Sequence, residues 1–285
     1  MKYDLISIGS ITKDIFLLTD RGKIFKTPRD LLAPEWLGFE LGEKINVNEI
    51  VESAGGVATN LSLGTKKLGL KSLPLGPTSP ATSVIVVDQK TGERVLFYQK
   101  SSGKINTSQL KKMESQWLSV SSLTGNWSRE AGDILAFIKK NKTKLIVAPS
   151  TSMICDGHKI LKRLLSEAEI IFLNRNEAVE LASKEKIKTS NITALAKILH
   201  KLGPKIVCIT DGRNGAYCSD GKKISHSPIK KVKTVDATGA GDAFASGFLG
   251  LYLKGASIEK SLKMGIRNSA NVVRFVGTTK GLLKK

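Results

Sequence analysis

The sequence has 285 residues, of which 41% are hydrophobic and 25% charged; this suits one large α/β domain or two small ones and argues against disorder. It contains no apolar run of about 18 residues, which excludes a membrane span, and its three cysteines form no CxxC pair, which indicates free thiols and a cytoplasmic protein. The net charge of +20 raises nucleic-acid binding as an alternative, but the basic residues are spread along the chain without interleaved aromatics, so we expect no specific nucleic-acid partner.

The N-terminal third predicts mostly strands. The predicted elements are, in chain order, a buried strand over 4–9, a half-exposed strand over 45–53, a helix over 57–69, and a hairpin over 82–100 that turns at Thr91 and Gly92. Continuous apolar runs are typical of strands that are covered on both faces, and apolar residues three and four apart are typical of helices. The hairpin does not fit a simple alternation of strand and helix, so it predicts an added sheet or lid.

The C-terminal half alternates strands and helices. The predicted elements are a strand over 166–174, helices over 176–183 and 191–203, a strand over 205–212, a hairpin over 215–228, a helix over 239–255, and one or two helices over 257–277. Such alternation predicts a mainly parallel sheet that is covered by helices, which is an α/β fold.

The segment DATGAGDAF, residues 236–244, is the strongest chemical signal in the chain. Its small residues Gly239, Ala240 and Gly241 precede an apolar helix and leave backbone N–H groups bare at the helix N-terminus, which forms an anion hole. Asp242 stands beside this hole, where a carboxylate would repel an anion. Its useful role is to accept a proton from a hydroxyl that attacks phosphorus. The alternative is a Gly-rich turn in which Asp242 is a plain N-cap.

This segment resembles the C-terminal signature D-T-x-G-A-G-D-x-F of the ribokinase/PfkB family of carbohydrate kinases, with Ala237 in place of the usual threonine. A Walker A loop is absent from the sequence. The resemblance implies a three-layer α/β/α sandwich with a small β-sheet lid. It implies a single kinase domain over 1–285, with a discontinuous lid at about 15–55 and 82–100.

Residues of the N-terminal part match the acceptor side of the same family. Gly55, Gly56 and Asn60 resemble its N-terminal signature, which implies that they contact hydroxyls of the acceptor. Asp14, after the first strand, matches the family's acceptor-binding aspartate. The alternatives are a simple turn at Gly55 and Gly56 and an exposed filler role for Asn60.

Residues of the C-terminal half match the nucleotide side. Asn174 and Glu177 match an N-x-x-E motif, which implies that they organise Mg²⁺ and phosphates through water. A pair at this spacing faces one direction and is equally typical of a helix cap. Thr210, Gly212 and Gly215 match the strand and turn that pass along the nucleotide.

Three further residues carry predictions of their own. Asn268 sits where the family often lines the adenine pocket. Asp236 and Thr238 resemble the monovalent-cation site of some relatives, which implies K⁺; ordinary hydrogen bonding at a strand end is the alternative.

One departure from the family follows the first helix. There the family has a strand, a Gly-Asp loop, a further helix and another strand before the lid hairpin, whereas here residues 73–76 run directly into 77–80. Either this branch lacks the segment or the sequence omits it. Asn126 is the best polar candidate for an acceptor contact from the middle of the chain.

Taken together, the resemblance implies an enzyme that uses ATP and Mg²⁺ to phosphorylate a hydroxyl of a small acceptor. Asp242 is the predicted base, and the N–H groups of residues 239–241 are the predicted anion hole. A sugar is the first choice of acceptor, and a nucleoside is the alternative. A non-catalytic sugar- or nucleotide-binding relative is a further alternative, which the intact GAGD disfavours. A homodimer through the lid is also predicted.

Overall fold

The computed structural model describes residues 2–26, 35–99, 101, 103–123 and 125–285. Its strands are β1 (Lys2–Ile8), β2 (Thr12–Thr19), β3 (Lys23–Lys26), β4 (Glu35–Gly38), β5 (Glu49–Gly55), β6 (Ser72–Leu75), β7 (Ala81–Asp88), β8 (Arg94–Gln99), β9 (Glu114–Ser121), β10 (Lys144–Ala148), β11 (Ala168–Asn174), β12 (Ile206–Thr210), β13 (Ala216–Ser219) and β14 (Ile224–Ser227). Its α-helices are α1 (Val57–Lys67), α2 (Ser128–Asn141), α3 (Thr151–Cys155), α4 (His158–Leu165), α5 (Arg175–Lys184), α6 (Ile192–Lys201), α7 (Ala240–Tyr252) and α8 (Ile258–Val272).

The main sheet has eight strands in the order β14-β13-β12-β11-β10-β9-β1-β6. The strands from β12 to β6 in this order are parallel, while β13 and β14 form an antiparallel edge. The sequence of β1 is continuously apolar because both faces of the sheet are covered. Leu5, Ile6 and Ile8 of this strand are all fully buried.

Helices cover both faces of this sheet. On one face the apolar core includes Ile134 of α2 and Leu181 of α5. On the other face it includes Leu61 of α1, Phe248 of α7 and Leu262 of α8. The predicted three-layer α/β/α sandwich is thus confirmed. Among the described residues, no helix combines the length and the apolar character that crossing a membrane requires.

A second sheet has four strands in the order β5-β2-β7-β8. Its inner face carries a small core of Phe16, Leu18, Ile85 and Val87, which packs against Val276 after α8. The sheet is therefore attached to the main body by apolar contacts near the C-terminus.

This second sheet falls in the region predicted as the lid. It contains the hairpin predicted over 82–100 and the strand predicted over 45–53, which begins four residues later than predicted, at Glu49. Residues 27–34 and 100 of the predicted lid lie outside the described residues.

The connection from β6 to the second sheet is short. Strand β6 forms an edge of the main sheet, and residues 76–80 lead from it directly to β7. A Cβ at Gly76 would overlap the side chain of Ile11, so the connection passes close over the chain that follows β1. Within the described residues no strand lies beyond β6, which agrees with the missing segment noted in the sequence.

Candidate active site

The N-terminus of α7 presents free backbone donors. Gly239 precedes the helix with φ of 75°, in the left-handed region that favours glycine. The N–H of Ala240 donates to the carbonyl of Ala237 at 3.3 Å, whereas the N–H groups of Gly241 and Asp242 have no acceptor among the hydrogen bonds of the described residues. A Cβ at the exposed Gly241 would meet no atom within 4 Å. The free donors and this open space fit an anion at the start of α7, next to the predicted residues 239–241.

Asp242 lies in the first turn of α7 and is held from α1. Asn60 donates from Nδ2 to Asp242 Oδ2 at 2.7 Å, and only 3% of Asn60 is exposed, so it is not an exposed filler residue. Burial raises the pKa of the Asp242 carboxyl to about 6, the bond from Asn60 lowers this pKa, and the negative charge of Asp14 raises it. A carboxyl group with this pKa is ionised at neutral pH and basic enough to accept a proton.

Asp14 and two glycines form a tight cluster on the second sheet. Asp14 on β2 is 5% exposed and accepts a hydrogen bond from Thr12 Oγ1 at 2.7 Å. Burial raises the pKa of the Asp14 carboxyl, while hydrogen bonds from Thr12 and Ser83 lower it. A Cβ on Gly55 would overlap Asp14 Oδ2, and one on Gly56, where φ is 87°, would overlap the backbone that follows β1. Both glycines are required by close approach, Gly55 to the Asp14 carboxylate and Gly56 to the chain after β1.

A cavity of about 200 Å³ collects the predicted nucleotide residues at the start of α7. Its lining includes Asn174, Glu177 and Thr210 together with Gly241 and Asp242. Asn174 Oδ1 accepts the N–H of Glu177 at 2.9 Å, and Glu177 Oε2 accepts the N–H of Asn174 at 2.8 Å, so this pair caps α5. Burial raises the pKa of the Glu177 carboxyl and the charge of Asp242 raises it further, while the N–H of Asn174 lowers it. Asn174 and Glu177 therefore both cap α5 and line the cavity.

Gly212 and Gly215 form the turn between β12 and β13. Their φ angles are 50° and 89°, values that favour glycine. A Cβ on Gly215 would overlap the carbonyl oxygen of Ser227, whereas a Cβ on Gly212 would meet nothing within 4 Å. Gly215 is therefore explained by backbone packing, and Gly212 borders open space after Thr210.

Asn268 does not lie on the open site, and this prediction is corrected. Its side chain is fully buried between α7 and α8. Nδ2 donates to the carbonyl of Ala243 at 2.7 Å and to Ser246 Oγ at 3.2 Å, and Oδ1 accepts the N–H of Leu283 at 2.9 Å. The amide is thus used to hold the C-terminal segment on α7, and it has no free N–H to offer to adenine.

Asp236 ties two loops together. Its fully buried carboxylate accepts the N–H and the hydroxyl of Thr238 at 2.8 and 2.6 Å, and the N–H of Gly277 at 3.1 Å. Arg94 Nε lies 4.0 Å from Asp236 Oδ1. These contacts correspond to the hydrogen-bonding alternative to a monovalent-cation site.

A larger cavity of about 680 Å³ opens beside the ends of β1 and β9. Its lining includes Tyr98 of β8 and Asn126, the polar candidate from the middle of the chain. Lys104 and Arg129 also line it, although no sequence motif pointed to them. Ser122 lines both cavities, so the two adjoin.

Thr278 is a contact that the sequence analysis missed. Its Oγ1 donates to Asn60 Oδ1 at 2.8 Å, although the two residues are 218 positions apart. No local pattern marks such a contact, because it depends on how α1, α7 and the segment after α8 pack together.

A covered α/β/α sheet with a carboxylate beside free donors at a helix N-terminus has the groups that a small-molecule phosphotransferase needs. The chain belongs to the pfkB family of carbohydrate kinases, whose family model matches residues 75–285. The family predicted from the sequence is thereby confirmed.

Comparison with individual proteins agrees with this membership. The chain is 30% identical over 299 residues to the ATP-dependent 6-phosphofructokinase of Thermoanaerobacterium thermosaccharolyticum, covering 97% of this chain and 89% of that protein. It is 37% identical over 120 residues to the cytidine kinase of Thermococcus kodakarensis, a match that covers 41% of each protein. Its fold is similar to that of Arabidopsis thaliana ribokinase complexed with ribose and ATP, with a TM-score of 0.72 at 18% identity, covering 100% of this chain and 96% of the other.

Proposed function

We propose that this protein transfers a phosphoryl group from ATP to a hydroxyl of a small acceptor, with a sugar as the first choice. The observation that carries the proposal is the position of Asp242 beside two free N–H donors at the start of α7. Asp242 accepts the proton of the acceptor hydroxyl, while the N–H groups of Gly241 and Asp242 bind oxygens of the transferring phosphoryl group. Membership of the pfkB family of carbohydrate kinases supports the reaction.

The acceptor is proposed to lie between the second sheet and α7. Asp14 and the backbone of Gly55 and Gly56 face it from the sheet, and Asn60 faces it from α1. Polar groups that are this deeply buried recognise hydroxyls strongly, because losing a partner leaves them unsatisfied. The adjoining cavity of about 680 Å³ leaves room for the rest of the acceptor.

ATP, when bound, supplies the transferred phosphoryl group. The cavity at the start of α7 fits its phosphates because it combines free N–H donors with the open space at Gly241. Asn174 and Glu177 are proposed to hold Mg²⁺ through water, with Thr210, Gly212 and Gly215 along the nucleotide. The described residues contain no cluster of three or more His, Cys, Asp or Glu side chains that could bind a metal directly. K⁺ is not part of this proposal, because the Asp236 carboxylate already accepts three hydrogen bonds.

The decisive experiment is a screen of free sugars, sugar phosphates and nucleosides for ADP release with Mg²⁺ and ATP. We expect at least one compound to stimulate ADP release well above the acceptor-free rate, and the phosphorylated product to appear in equal amount. Absence of stimulation by every class, in protein that is folded and binds ATP, would overturn the proposal in favour of a non-catalytic relative.

A nucleoside acceptor is the second candidate. The observation that favours it is Tyr98, which lines the larger cavity and is 42% exposed, so its ring is available to a flat base. The cytidine kinase of Thermococcus kodakarensis, with 37% identity over 120 residues, supports the same choice. The screen separates the two candidates directly, because sugars and nucleosides are tested individually. A Tyr98→Ala variant should lower the rate with a nucleoside and leave the rate with a sugar unchanged.

We expect the enzyme to lose activity on the acid side of neutrality. Asp242 must be deprotonated to act as a base, and its pKa is raised to about 6. The kcat/KM value should therefore be maximal above about pH 7 and fall roughly tenfold per unit well below pH 6. A pH profile with saturating ATP measures this. An acid limb centred near the ordinary aspartate pKa of 3.8 would contradict the effect of burial.

The outer face of the second sheet is proposed to form a homodimer interface. Ile15, Val84 and Phe97 lie side by side across β2, β7 and β8. On the other side of β2, Ile50 of β5 lies opposite Leu17 of β2. Phe97 and Ile50 are 59% and 63% exposed. A contiguous apolar face of this kind is typical of an interaction surface. In this proposal the sheet is the lid of one cytoplasmic kinase domain over 1–285.

Phe97→Lys is expected to convert the proposed dimer into a monomer, because it replaces an exposed aromatic side chain of the apolar face with a charge. Sedimentation velocity measures the change directly. Lys140→Ala, at an exposed site on α2 away from the second sheet, is the control and should leave the dimer intact. A wild-type protein that sediments as a monomer at all accessible concentrations would refute the interface.

A further inference from the structure

Asn60 is held between two partners of opposite hydrogen-bonding character. Its Nδ2 donates to Asp242 Oδ2 at 2.7 Å, and its Oδ1 accepts the hydroxyl of Thr278 at 2.8 Å. Asn60 and Thr278 are each only 3% exposed, so water does not readily replace either bond. The three side chains form a continuous chain from the C-terminal segment to the carboxylate in the first turn of α7.

This arrangement determines which end of the amide faces the carboxylate. A rotated amide would turn Oδ1 toward Asp242, and two acceptors would then meet without a hydrogen. The Thr278 hydroxyl supports the observed orientation, because it supplies the donor that buried Oδ1 needs. Without it, Oδ1 would be left unsatisfied, and the side chain would gain by moving away from its present position.

The fold brings Thr278 to this place through two specific features. The N–H of the preceding Gly277 is held by the buried Asp236 carboxylate at 3.1 Å, which anchors the segment after α8. Thr278 packs directly against Gly239, because a Cβ on Gly239 would lie only 2.8 Å from Thr278 Cβ. The close packing at Gly239 and the anchor at Asp236 therefore both fix Thr278 against Asn60.

We propose that Thr278 is a positioning residue for the catalytic base: it orients Asn60 so that Asn60 holds Asp242 as an ionised, correctly directed carboxylate. The inference rests on the proposed function, in which Asp242 is the base. Thr278 itself touches no reacting atom in this scheme.

The charges around Asp242 explain why the hydrogen bond from Asn60 has a large effect on the pKa of Asp242. Two acidic side chains lie near Asp242. Asp14 on β2 raises the pKa of Asp242, and the charge of Asp242 in turn raises the pKa of Glu177 on α5. Asp236 lies further off, near Asp14, with Arg94 beside it. Among these groups Asn60 is the one that favours the ionised form of Asp242. Weakening its bond should raise the pKa of the base.

The test compares Thr278→Val, which removes the hydroxyl at nearly constant shape, with Thr278→Ser, which retains it. For Thr278→Val we expect the acid limb of the kcat/KM profile to move up by about one pH unit, with a smaller loss of kcat at high pH. Thr278→Ser should keep the wild-type profile. Thr279→Val is the matched control, because Thr279 contributes only its backbone carbonyl to the hydrogen bonds of the described residues. A Thr278→Val profile that coincides with wild type would overturn the inference.

A second readout does not depend on activity. Because Asp242 has a higher pKa in the folded chain than its ordinary 3.8, ionising it costs stability, and this cost grows as pH rises from about 4 to 7. The loss of thermal stability caused by Thr278→Val should therefore be larger at high pH than at low pH. That pH dependence should vanish in an Asp242→Asn background. An equal loss at every pH would mean that Thr278 only packs, whereas failure of the wild type to phosphorylate any acceptor would refute the proposed function alone.

Discussion

Asp242→Asn is expected to lower kcat by at least about a hundredfold, the usual consequence of removing a general base. Asparagine has the same shape and can still accept the hydrogen bond from Asn60, so the geometry of the first turn of α7 should survive. It cannot take a proton from the acceptor hydroxyl. ATP binding should therefore be close to normal, and the loss should appear in kcat and kcat/KM rather than in the KM for ATP.

The stability of this variant provides an internal control. Raising the carboxyl pKa from 3.8 to about 6 corresponds to a cost of roughly 3 kcal/mol when the group is ionised in the folded state, as an upper limit. Asp242→Asn removes that cost, so we expect a variant at least as stable as wild type at pH 8. Asp156→Asn, at an exposed position after α3, makes the same chemical change and should leave kcat unaltered. Near-normal turnover in Asp242→Asn would remove Asp242 from the role of base.

Gly241→Ala is expected to reduce kcat by about a hundredfold to a thousandfold while leaving the protein folded. The added methyl group would project into the open space where the phosphoryl group is proposed to bind, and the loss of such backbone donation typically has this size. The backbone itself should tolerate alanine, because Gly241 lies within α7 and a Cβ there meets no atom within 4 Å. Single-turnover rates with the preferred acceptor measure the effect.

Gly132→Ala is the matched control for this prediction. Gly132 also lies within a helix, α2, and a Cβ there also meets no atom within 4 Å. Alanine stabilises a helix interior by about 1 kcal/mol relative to glycine, so this control should raise thermal stability without changing kcat. If Gly241→Ala keeps most of its turnover, the GAGD segment is only a turn and the phosphate must bind elsewhere.

Elements with a strong apolar pattern could be predicted from the sequence. The strand over 166–174 and the helix over 239–255 correspond to β11 and α7, because their apolar residues face cores on the main sheet. The antiparallel pair β3-β4 was missed. Among the described residues these two strands pair with each other alone, and Phe25 and Trp36 are more than half exposed, so burial imposes no periodic pattern.

Site residues in a local motif could be predicted from the sequence, whereas those placed by tertiary contacts could not. Asp242 and its neighbours lie in one continuous motif at a helix start, where local geometry and chemistry coincide. Asn268 was placed by its match to a family position, but its amide is consumed by packing with Ala243 and Leu283. Asn60 was predicted as an acceptor contact, yet its bond to Asp242 joins residues 182 positions apart and only the tertiary structure reveals it.

The same long separations have a kinetic consequence. The bonds from Asn60 to Asp242 and to Thr278 join residues 182 and 218 positions apart, so the first helix must meet the last segment of the chain before the carboxylate is held. Contacts of such length carry a large loop-closure cost and form late in folding. A refolding chain should therefore bury Trp127, whose core on the other face of the main sheet contains neither α1 nor α7, before it recovers a functional site. The site is thus completed by joining the two ends of the chain, and partly folded molecules should be inactive.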